Sequence, residues 1–303
     1  MNQIDVGELL HQALLSARLA ARVIRDVRLQ GNLGVLEKGD GSNTVPDPQT
    51  EADRRAEALI VAALREKFPD VKIVGEEGVT GGRSEDWEGW KSEVVNLPTF
   101  SKHLFPLEDV TVWVDPLDGT NDFVNMRLEC VTTLIGITVG TVPVAAVIYR
   151  PFSDEALVGG SLFGVVYWNN EVIRPLLSKT TICHTSTDTL RLVTSKTRAS
   201  SRTDTLIERL GKTVVTKVGG AGWKFWLILD GQADLYFYPK GGMKLWDICA
   251  GDVLLRAMGG VLTSPSGEEF KYHSDNLVVQ DGLIATMPPL NHAQLLAHLT
   301  NFL

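Results

Sequence analysis

Cysteine is scarce in this chain: Cys130, Cys183 and Cys249 are the only three in 303 residues, widely spaced and without a Cys-x-x-Cys pair. An odd, scattered set argues against a disulfide scaffold or a structural zinc site and predicts reduced thiols in an intracellular compartment. No apolar run approaches the ~20 residues that span a bilayer. The start, Met1-Asn-Gln-Ile-Asp-Val, lacks a basic stretch ahead of an apolar one, so no secretion signal is predicted. Basic residues are in deficit, 29 against 37 acidic ones, a net charge of −8. That balance argues against a nucleic-acid polymer or an anionic membrane as partner, but not against a small anionic ligand in a locally cationic pocket. The 6 histidines form no cluster, so histidine catalysis and histidine metal sites are not expected. Repeats and low-complexity segments are also missing. The expectation is a cytoplasmic protein with no required protein partner.

What is present is mixed α/β patterning. Leu10, Leu14, Ala17, Ala21 and Ile24 recur at helical spacing and predict a helix over 5–30, with Asp5 and Glu8 as a capping pair. A Gly- and Pro-rich break over 31–48 follows. Thr50 opens a second helix to Phe68, and Val71–Val74 is a short strand ending in Gly75-Glu76-Glu77-Gly78. Residues 79–109 have no period and are predicted to be a surface excursion. Val110–Val114 is a strand that runs into Asp115-Pro-Leu-Asp118-Gly-Thr120, and Val131–Val139 with Val144–Tyr149 reads as a hairpin. Strands and helices then alternate: strands at 192–195, 213–218, 233–238, 261–263 and 283–286, helices at 203–210 and 246–258, a helix that follows the Gly219-Gly220-Ala221-Gly222 run to about Leu229, and a terminal helix from Asn291. The chain divides into an N-terminal α+β lobe, 1–180, and a C-terminal α/β lobe, 181–303.

The acidic residues carry the functional signal. Glu76, Glu77, Asp115, Asp118 and Asp247 lie at strand ends or a helix start, and Asp53 lies in the first turn of another helix. Singly, each has an ordinary explanation: Asp53 and Asp247 as helix-start acids, Glu76 and Glu77 as solvated loop charges, Asp115-Pro116 as turn chemistry. If they converge, they repel one another unless a cation intervenes, and hard oxygen ligands select Mg²⁺. Two such ions about 4 Å apart can clamp the attacking and leaving oxygens of a phosphoryl displacement. Two residues separate Asp115 from Asp118, which rules out the Asp-x-Asp-Gly-Thr arrangement of aspartyl-phosphate phosphatases. Gly219-Gly220-Ala221-Gly222 ahead of a helix and Lys224 forms either a plain flexible loop or an anion site. Lys196 and Arg198 read as solvated surface charges.

Several stretches resemble the lithium-sensitive, magnesium-dependent phosphatase superfamily that includes inositol monophosphatase. They are Gly75-Glu76-Glu77, Trp113-Val114-Asp115-Pro116-Leu117-Asp118-Gly119-Thr120, and Trp246-Asp247 followed by an apolar helix and Gly259-Gly260. Gln49-Thr50-Glu51-Ala52-Asp53-Arg54, Phe68-Pro69 and Val218-Gly219-Gly220-Ala221-Gly222 resemble its 3'(2'),5'-bisphosphate nucleotidase branch. Cys130-Val131-Thr132 and Leu255-Arg256-Ala257-Met258-Gly259-Gly260 lean towards its inositol polyphosphate 1-phosphatase branch. Where nucleotidases often carry Arg-Ser-His, this chain has Thr194-Ser195-Lys196-Thr197-Arg198.

The resemblance implies a layered α-β-α-β-α sugar-phosphatase fold, with a mixed, mainly antiparallel N-terminal sheet and the cleft between lobes. It implies two or three Mg²⁺ ions: one held by Glu76, Asp115 and the Leu117 carbonyl, a second by Asp115, Asp118 and Asp247, and a weaker third near Glu76 and Glu77, with lithium inhibiting at the weak position. Asp53 and Thr120 would orient and deprotonate the attacking water. The Gly119 and Thr120 amides would bind the scissile phosphate, and Gly219, Gly220 and Lys224 the second phosphate or base; Asp247 stands in both the metal and the substrate sets. The implied reaction is hydrolysis of the 3'-phosphate of adenosine 3',5'-bisphosphate. The alternatives are an inositol polyphosphate 1-phosphatase acting on inositol 1,4-bisphosphate, or both activities, and an inactive metal-binding sensor or scaffold.

Overall fold

The computed structural model describes residues 2–38, 48–92, 95–177, 189–196, 201–273 and 275–299. In chain order the N-terminal elements are β1 (Gln3–Asp5), α1 (Val6–Gln30), β2 (Leu36–Glu37), β3 (Pro48–Gln49), α2 (Glu51–Lys67), β4 (Lys72–Gly75), α3 (Glu85–Trp90) and β5 (Leu104–Pro106). Next come β6 (Val110–Asp118), α4 (Thr120–Val124), β7 (Thr132–Val139), β8 (Val142–Arg150), β9 (Glu155–Gly160), β10 (Gly164–Asn169) and β11 (Ile173–Pro175). The remainder is β12 (Leu190–Ser195), α5 (Ser201–Leu210), β13 (Thr213–Val218), α6 (Ala221–Leu229), β14 (Leu235–Tyr238), α7 (Leu245–Ala257), β15 (Val261–Thr263), β16 (Leu283–Thr286) and α8 (His292–Leu299).

Five layers result. A seven-stranded sheet, ordered β11-β10-β9-β8-β7-β6-β4, is antiparallel except where β4 runs parallel to β6. A five-stranded sheet, ordered β13-β12-β14-β16-β15, is parallel on one side and antiparallel on the other. Helices α1 and α2 cover the outer face of the first sheet, where Leu10, Leu14, Ala17, Ala21, Ile24, Leu59 and Leu64 join Val112, Val114 and Ile135 in one core. Helices α6 and α7 fill the middle, with Phe225, Ile248 and Leu254 packed against Trp113, Leu134 and Tyr236. Helices α5 and α8 close the far side through Leu206 and Leu295. Each such aliphatic side chain contributes roughly 1.5–3 kcal/mol on burial. The α/β layering expected from the sequence is therefore present, and the division at 180/181 lies outside the described residues, as do Cys183 and Arg198.

Local chemistry sets the ends of the first helices. Asp5 caps α1 by accepting from the Gly7 N–H at 2.9 Å, and Gly31 ends it in the left-handed region at φ 77°. Two expectations need correction. Residues 79–109 are not a bare surface excursion: Ser84 caps α3 through the Trp87 N–H, Trp87 is buried, and β5 pairs with β1. The break over 31–48 contains β2, which pairs with β3.

Strand β6 does not stop at Val114. It continues through Pro116 to Asp118, with Asp115 opposite Leu134 and Asp118 opposite Thr132, so three steps on β6 match two on β7. In a regular strand, residues three apart face opposite sides of the sheet. The extra residue is a bulge, and it returns Asp118 to the side that carries Asp115 and Trp113, facing the middle layer. There the start of α7 delivers Asp247.

Candidate active site

Oxygen atoms of Glu76, Asp115 and Asp247 lie within 4.8 Å of one another. Glu76 follows β4, Asp115 lies in β6 and Asp247 lies in the first turn of α7. Asp115 is buried, and its carboxyl is held well above the usual range by that burial and then by Glu76, Asp118 and Asp247. Burial also raises Glu76, against the pull of Lys38 and with some help from Glu77, and it raises Asp247, where the Glu76 and Asp118 charges add to it. Three acids arranged this way are stable as carboxylates only with a cation among them, and an all-oxygen donor set fits Mg²⁺. Asp247 keeps its ordinary structural job as well, accepting from the Lys244 N–H at 2.7 Å.

Asp118 stands beside this group and is already well satisfied. It accepts from the Ala221 and Gly222 amides at 2.8 and 2.7 Å and from the Thr132 hydroxyl at 2.8 Å. The start of α6 thus docks on the carboxylate, which burial pushes up while Lys224 and these donors pull it down. Glu77 faces Lys38, whose ammonium bridges Glu76 and Glu77 at 2.7 Å each, and Gln49 also donates to Glu77. Burial works to lower the Lys38 ammonium, but the two carboxylates outweigh it and hold it above its ordinary value.

Asp53 and Thr120 meet across 67 positions of sequence: the Thr120 hydroxyl donates to Asp53 Oδ1 at 2.9 Å and lies 3.1 Å from the Leu117 carbonyl. The other Asp53 oxygen accepts from the Thr50 N–H at 2.8 Å and from the Thr50 hydroxyl. One Asp53 oxygen thus carries the helix-cap contact and the other the contact with Thr120. Burial pushes the Asp53 carboxyl up to about 6, against the pull of these hydrogen bonds.

The glycine loop lies close to this group. Gly220 has φ +60°, and a Cβ there would come 2.3 Å from the Cys130 carbonyl and 3.0 Å from Asp118 Oδ2. At Gly219 a Cβ would land on the Asp122 carboxylate. Lys224 departs from its expected place facing substrate. It is buried at 3% exposure, its ammonium donates to the Gly220 carbonyl, and burial pushes it down to about 8. Lys196 is exposed, as expected of a solvated charge.

Sequence reasoning missed Lys38, Gln49 and Glu57. Lys38 and Gln49 lie in or beside the irregular break and gave no periodic signal. Glu57 was findable, since it stands one helical turn after Asp53 on the same face of α2. It is fully buried, accepts from the Glu77 and Val79 amides at 2.8 Å each, and burial pushes its carboxyl up to about 7.

The family is established by direct comparison. The chain belongs to the inositol monophosphatase family, whose model matches residues 5–302. A 3'(2'),5'-bisphosphate nucleotidase 1 of Dictyostelium discoideum is 31% identical over 316 residues, covering 99% of this chain and 98% of the relative. A Golgi-resident adenosine 3',5'-bisphosphate 3'-phosphatase of Bos taurus is 30% identical, covering 98% and 80%. In fold, the chain is similar to the extragenic suppressor protein suhB from Bartonella henselae, with TM-score 0.71, 20% identity and coverage of 98% and 100%. Among the described residues no helix is long and apolar enough to cross a membrane.

Proposed function

We propose that the chain is a Mg²⁺-dependent, lithium-sensitive phosphatase that removes the 3'-phosphate of adenosine 3',5'-bisphosphate, giving AMP and phosphate. The observation that carries this reading is the approach of Glu76, Asp115 and Asp247 to within 4.8 Å beside the Thr120–Asp53 hydrogen bond. Both relatives described above carry bisphosphate-hydrolysing names and are covered over most of their length.

In this reading Glu76, Asp115 and the Leu117 carbonyl hold one ion, Asp115, Asp118 and Asp247 a second, and Glu76 and Glu77 a weaker third, for which Lys38 competes. Bound there, the ions would offset the carboxylate charge, acidify the attacking water and stabilise charge on the phosphoryl oxygens. Thr120 presents its lone pairs to that water while donating its own proton towards Asp53. A hydroxyl is too weak a base by itself, and the carboxylate behind it supplies the basicity. The amides of Gly119 and Thr120 receive the scissile phosphate, and Gly219 and Gly220 receive the second phosphate or base. Lys224 acts from behind, through the Gly220 carbonyl. Asp247 borders both the ions and the substrate. The lobes are 1–180 and 181–303, and the location is cytoplasmic.

A purely metal-binding sensor has no use for the Thr120–Asp53 pair. The rival substrate is inositol 1,4-bisphosphate, favoured by Cys130-Val131-Thr132, whose Thr132 hydroxyl bonds Asp118. Phosphate release from the two bisphosphates under one set of Mg²⁺ conditions decides between them. The expected result is a kcat/KM at least roughly tenfold higher for the nucleotide, and Thr120→Ala should lower its kcat by about 10²–10⁴. Faster release from inositol 1,4-bisphosphate would overturn the nucleotide assignment, and release from neither would overturn the phosphatase reading.

A further inference from the structure

We infer that Glu57, which takes no part in the scheme above, is a positioning residue that sets the metal affinity of the Glu76–Glu77 turn; this rests on the proposed metal-dependent reading of the site. The turn leaves the sheet after Glu76, whose N–H still reaches the Val114 carbonyl at 3.1 Å. The amides of Glu77 and Val79 then go not to backbone but to Glu57, at 2.8 Å on Oε2 and 2.8 Å on Oε1. One buried carboxylate thus clasps the turn from below while the Glu76 and Glu77 side chains face Lys38.

The fit is close. A Cβ on Gly75 would come 2.6 Å from Glu57 Cδ and Oε1, so a glycine is what lets the carboxylate sit beneath the turn. Two converging N–H donors require an acceptor on each of two atoms, and a carboxylate supplies both, with hydrogen bonds strengthened by its charge. Glutamine offers one oxygen and one NH₂ group, so one amide would face a donor and the turn would have to shift. Helix α2 is then a strut with two acids one turn apart: Asp53 serves Thr120, and Glu57 serves the carboxylates that would hold metal. Residues that orient ligands in this way typically change metal affinity 10–100-fold when replaced.

The test is Mn²⁺ binding to the metal-free, full-length protein, followed by electron paramagnetic resonance, for wild type, Glu57→Gln and Gly75→Ala. Gly75→Ala crowds the same carboxylate without removing its charge, and it decides the matter should Glu57→Gln fail to fold. Both variants are expected to bind Mn²⁺ about 10–100-fold more weakly. The Mg²⁺ concentration for half-maximal activity should rise in parallel, with KM for the bisphosphate at saturating Mg²⁺ within about twofold of wild type, since ligand positioning and not substrate contact is altered. Folded variants with wild-type Mn²⁺ affinity would overturn the inference, because a merely structural role lowers melting temperature alone. A wild type that binds no Mn²⁺ would overturn the metal reading beneath it, and the inference would fall with it.

Discussion

Asp115→Asn is expected to lower kcat by at least about 10³ while raising the melting temperature of the metal-free protein. In the proposed mechanism several kcal/mol of transition-state stabilisation depend on ions held at the centre of the acidic group, and each 1.36 kcal/mol is a factor of ten in rate. Asp115 is that centre: it is buried and lies within 4.8 Å, oxygen to oxygen, of Glu76 and Asp247. The opposite sign for stability follows from the same geometry. Without metal, the Asp115 charge is disfavoured by burial and by Glu76, Asp118 and Asp247. An amide of the same shape relieves that repulsion and still offers an oxygen to the Leu117 N–H, which lies 3.2 Å from Asp115 Oδ1. Melting curves with and without Mg²⁺, together with kcat at saturating Mg²⁺, read both effects. Activity within tenfold of wild type, or a metal-free variant less stable than wild type, would contradict the assignment.

The second large effect couples pH to metal. Burial raises Asp53 to about 6 and Glu57 to about 7, and it raises Glu76, Asp115 and Asp247 as well. In the unfolded chain these groups titrate near 4. The folded, metal-free protein therefore binds more protons than the unfolded chain over the interval from about 4 to about 7, and its stability falls as pH rises through that interval, by up to roughly 3 kcal/mol for a group such as Asp53. In the proposed metal-bound state Mg²⁺ would replace those protons. Its stabilising effect is thus expected to be larger at pH 8 than at pH 5.5, by on the order of 5 °C in Tm at a concentration near 100 times its Kd. Comparing each pH with and without Mg²⁺ cancels the ordinary surface carboxylates. A Mg²⁺-induced shift that is equal at both pH values would mean that protons and metal do not compete for the same oxygens.

How much of this was legible beforehand depends on the range over which each feature is encoded. Helices α1, α2 and α7 declare themselves by apolar spacing, and β7 and β8 by apolar runs around a turn, because local periodicity is enough. Strands β9 and β10 went unread because Gly159, Gly160 and Gly164 punctuate them, and in sequence glycine marks a break. The short α3 and β5 fall below any periodic window, and their pairing with distant β1 and packing by Trp87 give them their place.

The same division holds in the site. Each acid could be named from its motif, yet whether Asp115 and Asp118 share a face turns on one extra residue in β6, a matter of register against β7 that no local pattern states. Lys224 looked like an anion ligand because a lysine follows a glycine run. Packing turns it inward, onto the Gly220 carbonyl beneath the loop. Glu57 carries the helical spacing from Asp53 that could have flagged it, but which groups it binds is settled only when the turn over 75–79 folds onto it.

Crystals grown with Mn²⁺ and measured at the manganese absorption edge test the central claim most directly. The expected result is anomalous density in contact with carboxylate oxygens of Glu76, Asp115 and Asp247, with the neighbouring ion, where present, between Asp115 and Asp118. Manganese bound only elsewhere on the chain, with those three side chains turned apart, would contradict it.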